Sequence, residues 1–253
     1  MNRTPQLISD QVPHAPRVSV VVPTRNEARN LPHVFRDMPA DVHEVILVDG
    51  HSTDGTIETA KRLWPSIVVI EQKGRGKGNA LALGFAAVTG DVVVMLDADG
   101  SADPAEIPRF VAALADGADV AKGSRFLPGG GSTDITFIRR LGNDALTAIV
   151  NVCWGTRYTD LCYGYNALWA WCAQGVDVDC EGFEVETLIN IRIAEAGWRV
   201  VEVPSFELER IHGTSNLRAY RDGMRVLRTI GSEMRSPHRT RQQRPMLVPA
   251  ADT

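Results

Sequence analysis

One run of residues limits the possible folds of this chain more than any other. Residues 92–96, Val-Val-Val-Met-Leu, are apolar without the alternation of a half-exposed strand, and they lead directly to Asp97 and Asp99. Such a strand is typical of a sheet that helices cover on both faces. Ligands of open α/β sheets bind beyond the carboxyl ends of the strands, where both carboxylates would lie. Because Asp and Gly are also common turn residues, an ordinary turn at residues 97–100 is the competing interpretation.

Strand and helix patterns alternate on both sides of this run. Strands are predicted at residues 18–23, 45–49, 67–70, 91–96 and 119–123. Helices are predicted to open at residues 24–27 and to cover residues 57–63, 80–88 and 104–115. Repeated units of this length predict an α/β fold with a doubly wound, mostly parallel sheet and right-handed crossovers.

The alternation stops after residue 123. A glycine-rich loop is predicted at residues 124–133, strand and turn at 160–171, helices at 183–196 and 217–234, and a strand pair hinged at Pro204 within 199–209. The helix that follows the loop carries an apolar stripe at helical spacing: Phe137, Leu141, Ala145, Ile149 and Val152. Such a stripe usually packs against a core, which is the prediction here, and a membrane-facing surface is the alternative.

Length and composition fit one domain. With 253 residues, 44% of them hydrophobic, we expect a single domain at 17–235, with a nucleotide-binding half at 17–123 and an acceptor half at 124–235. Residues 1–16 and 236–253 are predicted to be a disordered leader and tail. A net charge of -4 argues against nucleic acid as a partner.

The cysteines and the apolar runs indicate where the protein works. Four cysteines without zinc spacing, in a chain without a secretory leader, predict reduced thiols in the cytoplasm. The longest apolar run, near residues 145–154, is too short to span a bilayer. Peripheral contact with the inner face of the membrane is the alternative location, and the oligomeric state is left open.

Three loops at predicted strand ends carry acids, hydroxyls and the start of a helix: residues 23–27, 49–55 and 97–101. Unpaired N–H groups at helix starts can hold phosphate, and Asp49 could accept from a base or a ribose. Asp97 and Asp99 are hard oxygen ligands that suit Mg²⁺ or Mn²⁺, which would join them to a diphosphate.

A fourth loop, residues 72–79, is rich in glycine and cations. Lys73, Arg75 and Lys77 could contact phosphate, and the glycines would allow a close backbone approach. A solvated basic turn is the alternative interpretation, because the loop matches no P-loop pattern.

Five motifs in one order carry a family resemblance. They are Val20-Val-Val-Pro-Thr-Arg-Asn-Glu27, Val48-Asp-Gly-His-Ser-Thr-Asp-Gly-Thr56, Lys77-Gly-Asn-Ala-Leu81, Met95-Leu-Asp-Ala-Asp99 and Gly123-Ser-Arg-Phe126. The chain resembles family 2 inverting glycosyltransferases of the GT-A fold over about residues 17–230. Four segments of the second half are most similar to the dolichyl- or polyprenyl-phosphate mannose synthases: Asp160-Leu-Cys-Tyr-Gly-Tyr165, Phe183-Glu-Val-Glu186, Val201-Glu-Val-Pro204 and Glu209-Arg-Ile-His-Gly-Thr-Ser-Asn-Leu217.

The resemblance implies a nucleoside-diphosphate sugar donor, GDP-mannose or a UDP-sugar, and Mg²⁺ or Mn²⁺ as cofactor. The implied donor-binding residues are Pro23, Thr24, Asn26, Glu27, Asp49, Lys77 and Asp97. Asp97 and Asp99 would hold the metal, and His212 is a further candidate ligand. Arg210 matches the family's lid arginine and is expected to close on the diphosphate.

The acceptor decides which further groups are needed. A polyprenyl phosphate is already an anion and needs positioning, for which Arg125, Arg139, Arg140 and Ser215 are the candidates. A soluble hydroxyl acceptor needs a general base, for which Glu184 and Glu186 are the candidates, and favourable first-turn charges are the other interpretation of these two.

The chain departs from the lipid-phosphate pattern at three positions. Gly50 replaces the second acid of the usual Asp-Asp-Gly-Ser, Asn166 replaces a frequent arginine, and Asn216 replaces a frequent lysine. Two missing cations keep a soluble acceptor open as an alternative to a polyprenyl phosphate.

Three other functions compete with this one. In a haloacid-dehalogenase-type phosphatase Asp97 would be the nucleophile, but that motif normally opens its domain, and no later Gly-Asp-x-x-x-Asp motif follows. A nucleotide-sugar pyrophosphorylase would carry a glycine-rich signature near the first strand, and this sequence lacks that signature. A non-catalytic sugar-nucleotide sensor remains an alternative, and release of nucleoside diphosphate would exclude it.

Overall fold

The computed structural model describes residues 15–214 and 219–235 of the chain. The strands of its main sheet are β1 (Val18–Thr24), β2 (Glu44–Asp49), β3 (Val68–Glu71), β4 (Val92–Met95), β5 (Val120–Ser124), β7 (Asn166–Trp169) and β8 (Val200–Pro204). Two short strands, β6 (Gly131–Ser132) and β9 (Phe206–Glu207), pair separately. The main sheet has seven strands in the order β3-β2-β1-β4-β7-β5-β8.

The sheet is mostly parallel, as predicted. β7 is the exception, because it lies antiparallel between β4 and β5. Strand and turn were expected there from the sequence, without a direction. This insertion separates the ends of β4 and β5, and it brings the loop before β7 next to the carboxylates that follow β4.

Eight helices and a short 3₁₀ helix complete the described ranges. They are α1 (Leu31–Arg36), α2 (Thr56–Leu63), α3 (Gly76–Ala87), the 3₁₀ helix Pro104–Glu106, α4 (Ile107–Ala115), α5 (Phe137–Trp154), α6 (Ala170–Gly175), α7 (Val185–Glu195) and α8 (Ala219–Arg235).

Two helix starts differ from the sequence prediction. α1 begins at Leu31 rather than within residues 24–27, because Asn26 takes a left-handed conformation with φ 59° and delays the helix. α3 begins at Gly76, inside the predicted loop 72–79, so Lys77 lies on the first turn of a helix.

Helices cover both faces of the sheet, as the apolar β4 predicted. On one face, α1 contributes Leu31 and α4 contributes Phe110 to a core that includes Val94. On the other face, Leu81 of α3 and Ile189 of α7 pack with a second set of sheet residues. β4 is fully buried between these layers, so the loop that follows it has a rigid base.

The prediction that the α5 stripe packs in the core is wrong. Phe137 is 80% exposed, Leu141 60% and Val152 84%, and Ala145 and Ile149 are also exposed. The opposite face of α5 packs instead, through the buried Asn143, Thr147 and Val150. Helical spacing identified the stripe correctly, but spacing alone does not tell which side of a helix meets the protein.

Several sequence predictions fall outside the described residues. The tail predicted at residues 236–253 lies entirely outside the described ranges, and of the leader predicted at residues 1–16 only residues 15 and 16 are described. The division into two halves stays a prediction, and residues 123 and 124 both lie within β5. Within residues 15–214 and 219–235, no helix combines the length and apolar character that crossing a bilayer requires.

Candidate active site

A cleft of about 1740 Å³ crosses the carboxyl ends of the parallel strands. Its first end is lined by the ends of β1 and β4, the loop after β2 and the start of α3, and its far end lies between α5 and α8. The cleft therefore joins the predicted donor loops to the region that follows residue 123.

Lys77 occupies the centre of the cleft between two carboxylates. Its Nζ lies 2.6 Å from Asp97 Oδ1 and 2.7 Å from Glu186 Oε1. Burial opposes the charge of Lys77, but attraction to both carboxylates outweighs it and raises the pKa of the ammonium group. Burial raises the pKa of Glu186, and the nearby Lys77 only partly offsets this rise.

Gly164 explains how these three side chains can meet. A Cβ at this position would lie 2.8 Å from Lys77 Nζ, 3.2 Å from Glu186 Oε1 and 3.3 Å from Asp97 Oδ2. Gly164 belongs to the loop that enters β7, so the reversed strand delivers a residue without a side chain to this crowded position.

Arg210 joins a second pair of carboxylates. Its Nη1 donates to Glu27 Oε1 at 2.8 Å, and its Nη2 lies 3.3 Å from Asp99 Oδ2. Burial raises the pKa of Glu27, which hydrogen bonds from Asn30 and Arg210 partly oppose. Asp99 Oδ1 accepts from the backbone N–H and the hydroxyl of Ser101, which fixes the direction of the carboxylate.

This network carries an excess of negative charge. Four carboxylates, those of Glu27, Asp97, Asp99 and Glu186, share the two cations Lys77 and Arg210. A divalent cation would balance these six groups, and carboxylate oxygens are ligands that Mg²⁺ and Mn²⁺ accept. Among the described residues no three His, Cys, Asp or Glu side chains form a ready metal site, so further ligands would come from a diphosphate or water.

Asn26 connects the loops after β1 and β2. Its backbone N–H donates to Ser52 Oγ at 2.8 Å, and its Oδ1 accepts from the N–H of Thr53 at 2.8 Å. Asp49 accepts from the N–H of Ser52, while its buried Oδ1 has no partner among the described residues. Pro23, Thr24 and Glu27 line the cleft. Asn26 and Asp49 are not among the lining residues, and their contact with the donor stays a prediction.

The segment that contains Arg210 covers the loop after β4. The N–H of Leu208 donates to Ser101 O, and the N–H of Ile211 donates to Asp99 O. Gly100 has φ 79°, and a Cβ there would lie 2.6 Å from Ile211 Cδ1. The predicted lid therefore lies directly on the loop that contains Asp97 and Asp99, called here the two-aspartate loop. It crosses this loop at Gly100, where both the backbone conformation and the close contact disfavour a side chain.

His212 lies at the edge of this lid. Its ring is 5.7 Å from the ring of His33, and its carbonyl accepts from Asn30 Nδ2. Partial burial and the charges of Arg29 and His33 lower the pKa of His212, which favours the neutral imidazole. His212 is not among the residues that line the cleft, and its role as a metal ligand stays a prediction.

Arg125 lines the cleft and is held by two carboxylates. It contacts Asp160 through Nε at 2.7 Å and Glu207 through Nη1 at 3.0 Å, and its side chain is 4% exposed. The guanidinium also stacks on the Tyr163 ring at 4.9 Å. The guanidinium of Arg125 is thus already bound by carboxylates in the cleft wall, and its contact with an acceptor stays a prediction.

The other predicted acceptor residues are distributed unevenly. Arg139 lines the cleft and donates to Asp134 Oδ2 at 2.7 Å. Arg140 stacks on Phe126, away from the cleft lining, and its side chain is 58% exposed. Ser215 lies outside the described residues. Arg221 and Arg225 of α8, which no sequence motif indicated, also line the cleft.

Glu184 and Glu186 have different surroundings despite their spacing. Glu186 faces the cleft and contacts Lys77, whereas Glu184 accepts from the N–H of Gly182 and does not line the cleft. A Cβ on Gly182 would approach Glu184 Oε2, which has no partner among the described residues. Of the two predicted bases, the structure brings Glu186 to the site.

Sequence reasoning missed several residues of the cleft. His51, Gln72, Tyr163 and Glu207 line it, although the sequence singled none of them out. Arg75, which was predicted to contact phosphate, lines the cleft as well. His51 stood inside a motif that was identified, so its position just after a strand end could have indicated it. The positions of Tyr163 and Glu207 depend on the reversed β7 and on the pairing of β6 with β9, for which the sequence carries no signal of direction.

Comparison with known proteins decides the family. The model of "Glycosyl transferase family 2" matches residues 19–168. This chain belongs to glycosyl transferase family 2. Two known proteins are each 33% identical to it: a dolichol-phosphate mannosyltransferase of Pyrococcus furiosus, over 80% of this chain and 59% of that protein, and an undecaprenyl-phosphate mannosyltransferase of Micrococcus luteus, over 79% and 87%. The family 2 chain is therefore a glycosyltransferase, and it spans about three fifths of the Pyrococcus protein.

A solved structure confirms the fold of this family 2 enzyme. Glucosyl-3-phosphoglycerate synthase from Mycobacterium tuberculosis, in complex with Mn²⁺, UDP and glucosyl-3-phosphoglycerate, superposes with a TM-score of 0.69 at 23% identity. The match covers 88% of this chain and 82% of that chain. The GT-A architecture that the motifs implied is thus confirmed.

Proposed function

We propose that this family 2 enzyme transfers a sugar from a nucleoside-diphosphate sugar to a polyprenyl phosphate, with inversion at the anomeric carbon and with a divalent cation bound. The observation that carries the proposal is the cleft itself. It begins at the charged network of Asp97, Asp99 and Lys77 and ends between α5 and α8, where Ile138, Leu146, Ile149, Met224 and Leu227 line it. One end suits a diphosphate and the other suits an isoprenoid chain.

The donor end is supported by its chemistry. Lys77 on the first turn of α3 and Arg210 on the lid are two cations at opposite sides of the two-aspartate loop. Both could turn from carboxylates to a diphosphate, because phosphate oxygens accept the same hydrogen bonds. The Mycobacterium tuberculosis synthase, whose structures contain UDP with Mn²⁺ or Mg²⁺, supports this use of the fold.

Asp97 and Asp99 are the residues that would hold the cation. When bound, it supplies positive charge that stabilises the departing nucleoside diphosphate. Asp97 would then exchange Lys77 for the metal and Asp99 would exchange Arg210, so both side-chain cations would become free to bind the donor.

The proposed reaction needs no general base. A phosphate oxygen of the acceptor attacks the anomeric carbon, and the bond from this carbon to the donor diphosphate breaks, which gives a glycosyl phosphate lipid and a nucleoside diphosphate. Arg139, Arg221 and Arg225 line the cleft where the acceptor phosphate would lie, and they could orient it. Glu186 fits this scheme, since its contact with Lys77 occupies the carboxylate.

Transfer to a soluble hydroxyl acceptor is the second candidate. Glu186 faces the cleft, and burial raises the pKa of its carboxyl, which is the direction of shift that suits a general base. In this route the acceptor oxygen would attack the anomeric carbon and lose its proton to Glu186, while the bond from this carbon to the donor diphosphate breaks and nucleoside diphosphate leaves.

One assay separates the two candidates. The enzyme would receive labelled GDP-mannose or UDP-glucose with Mn²⁺, together with a short-chain polyprenyl phosphate, the matching polyprenol, or a panel of soluble hydroxyl acceptors. We expect labelled lipid and free nucleoside diphosphate from the polyprenyl phosphate only. Transfer to the polyprenol or to a soluble hydroxyl, with none to the lipid phosphate, would overturn the proposal. Absence of nucleoside diphosphate release with every pair would exclude it as well.

A further inference from the structure

Two neighbouring helices expose apolar stripes instead of burying them. On α5 the stripe consists of Phe137, Ile138, Leu141, Ile149 and Val152, which are between 38% and 84% exposed. On α8 it consists of Tyr220, Met224, Leu227 and Met234, which are between 36% and 85% exposed. We call these residues the apolar face.

The apolar face lies opposite to the side by which each helix is attached. α5 and α8 pack against each other, and Val150, Val226 and Ile230 share a core cluster with residues of α7 and of the loop before β7. The inward side of α5 carries the polar Asn143 and Thr147. The inward sides of both helices mix apolar residues with buried polar ones, and the outward sides carry large apolar groups that an ordinary surface helix would turn toward the core.

The charges beside the apolar face have one dominant sign. Arg221, Arg228 and Arg235 follow one another at intervals of seven residues, so they form a row along one side of the α8 stripe, and all three are exposed. The acids of α8, Asp222 and Glu233, are buried on its inner side. On α5 the exposed Arg140 lies beside Asp144. The outward charge of α8 is thus wholly cationic.

The apolar face also borders the cleft. Ile138 and Ile149 of α5, and Tyr220, Met224 and Leu227 of α8, belong to the apolar face and line the cleft as well. A surface bound to this face would meet the open end of the cleft directly.

We propose that the apolar face and its arginine row form a docking surface for an anionic lipid membrane. Apolar side chains would enter the boundary of the acyl chains while arginines contact lipid phosphates, the arrangement by which amphipathic helices bind at a membrane interface. A second copy of the chain fits less well, because in a two-fold contact the same surfaces meet and the arginine rows would come together with few exposed acids to pair them. The proposal concerns membrane attachment and does not require a particular acceptor.

Vesicle co-sedimentation of the full chain, without donor or acceptor, tests the surface. We expect binding to phosphatidylcholine vesicles that contain about one third phosphatidylglycerol and little binding to phosphatidylcholine alone, with the difference removed at about 1 M salt. Absence of binding to the anionic vesicles would overturn the proposal.

Two variants test the residues. The triple variant Phe137→Ser, Leu141→Ser, Val152→Ser should lower vesicle binding by at least about tenfold, because it removes apolar area from the interface. The variant Arg228→Gln, Arg235→Gln should lower it about 30-fold, since each arginine near an anionic surface contributes a factor of about five. The charge variant changes only exposed polar positions, so it keeps the test decisive if the triple variant does not fold.

Matched controls come from the opposite edge of the sheet. Leu63→Ser with Val68→Ser removes exposed apolar groups there, and Lys61→Gln with Arg62→Gln removes exposed charge. Both should bind vesicles like the original chain, and equal losses in controls and test variants would overturn the assignment. Light scattering supplies the other outcome: a dimer that the triple variant converts to a monomer, without vesicle binding by either, would identify the face as a contact between copies.

The outcome is distinguishable from that of the proposed function. None of the five substituted residues on this surface lines the cleft. With a short-chain acceptor in solution and no vesicles, both variants should transfer sugar at the original rate. Loss of vesicle binding by the two variants, with sugar transfer retained, supports the docking surface. Vesicle binding by the original chain without sugar transfer to any acceptor supports the docking surface and overturns the proposed function.

Discussion

The two ends of the cleft are built in opposite ways. At the donor end, charged side chains are drawn inward and pair with one another, so that Lys77 and Arg210 each contact two carboxylates. At the far end, between α5 and α8, large apolar side chains are exposed: Ile138 and Tyr220, which line the cleft, are 75% and 85% exposed. Each end therefore carries the groups that an isolated globular protein would place elsewhere. Such exceptions to ordinary folding preferences are expected where function rather than stability selects the residues.

The largest effect should come from the donor end. Asp99→Asn keeps the size of the side chain and removes the charge that would hold the cation, so we expect transfer to fall by about three orders of magnitude. Nucleoside diphosphate release measures it, and Asp116→Asn at an exposed position is the matched control. Full activity in Asp99→Asn would show that this carboxylate does not hold a cation that transfer needs. The difference proposed between the two ends of the cleft would then lose its support at the donor end.

The buried ion pairs of Arg125 should contribute more to stability than an exposed ion pair does. Asp160→Asn leaves the buried Arg125 with Glu207 as its remaining carboxylate, and we expect about 3 kcal/mol less stability in denaturant unfolding. Asp91→Asn breaks the exposed pair with Arg17 and should leave the unfolding midpoint almost unchanged. Equal effects of the two substitutions would contradict the distinction between a buried and an exposed ion pair.

The same pair predicts how acid affects the protein. Burial would raise the pKa of Asp160, but hydrogen bonds and attraction from Arg125 outweigh it and lower the pKa below the ordinary value of 3.8. The stabilisation is therefore present above about pH 4 and is lost as the pH falls toward the folded-state pKa. Unfolding curves between neutral and acidic pH should show this loss in the original chain and a smaller one in Asp160→Asn.

Glu186 lies between the two ends of the cleft. Its substitution tests whether this carboxylate positions Lys77 or acts as a general base. If Glu186 positions Lys77, Glu186→Gln should raise the KM for the donor about tenfold, the usual scale for a lost charge-assisted contact, and leave the pH profile of kcat unchanged. If Glu186 is a general base, kcat should fall instead, and the original enzyme should lose activity as the pH drops through the raised pKa of this carboxyl. Glu181→Gln, at an exposed position, is the control.

The smallest expected effect belongs to α8. Gly231 lies inside this helix and has room for a side chain: apart from its chain neighbours and the nearby backbone of its own helix, no atom of the described residues lies within 4 Å of the position that a Cβ would take. Gly231→Ala should therefore raise the free energy of unfolding by about 0.5–1 kcal/mol through helix propensity.

Gly164→Ala is its counterpart at the donor end, where the added methyl group would press on Lys77, and it should lower activity. A neutral result for Gly164→Ala would show that the packing around Lys77 is looser than the distances indicate.

Much of the fold could be predicted from the sequence because the relevant signals are local. The apolar run of β4 predicted a strand covered on both faces, and Asp97 and Asp99 were expected at the end of that strand, next to a cation-rich segment. The helix starts were less accurate, since the left-handed Asn26 delays α1 and glycines at residues 76 and 78 did not prevent α3 from starting early.

What the sequence determined by itself is the set of elements and the chemistry at the strand ends, because apolar periodicity and motif spacing depend on neighbours along the chain. Only the tertiary structure decided that β7 runs antiparallel, that Gly164 thereby reaches Lys77, and that Arg125 is held by Asp160 and Glu207. The tertiary structure alone likewise decided that the α5 stripe faces outward. A helical pattern fixes which residues share a face, but the partner that packs against the other face decides whether that face is buried, and this partner lies far away in the sequence.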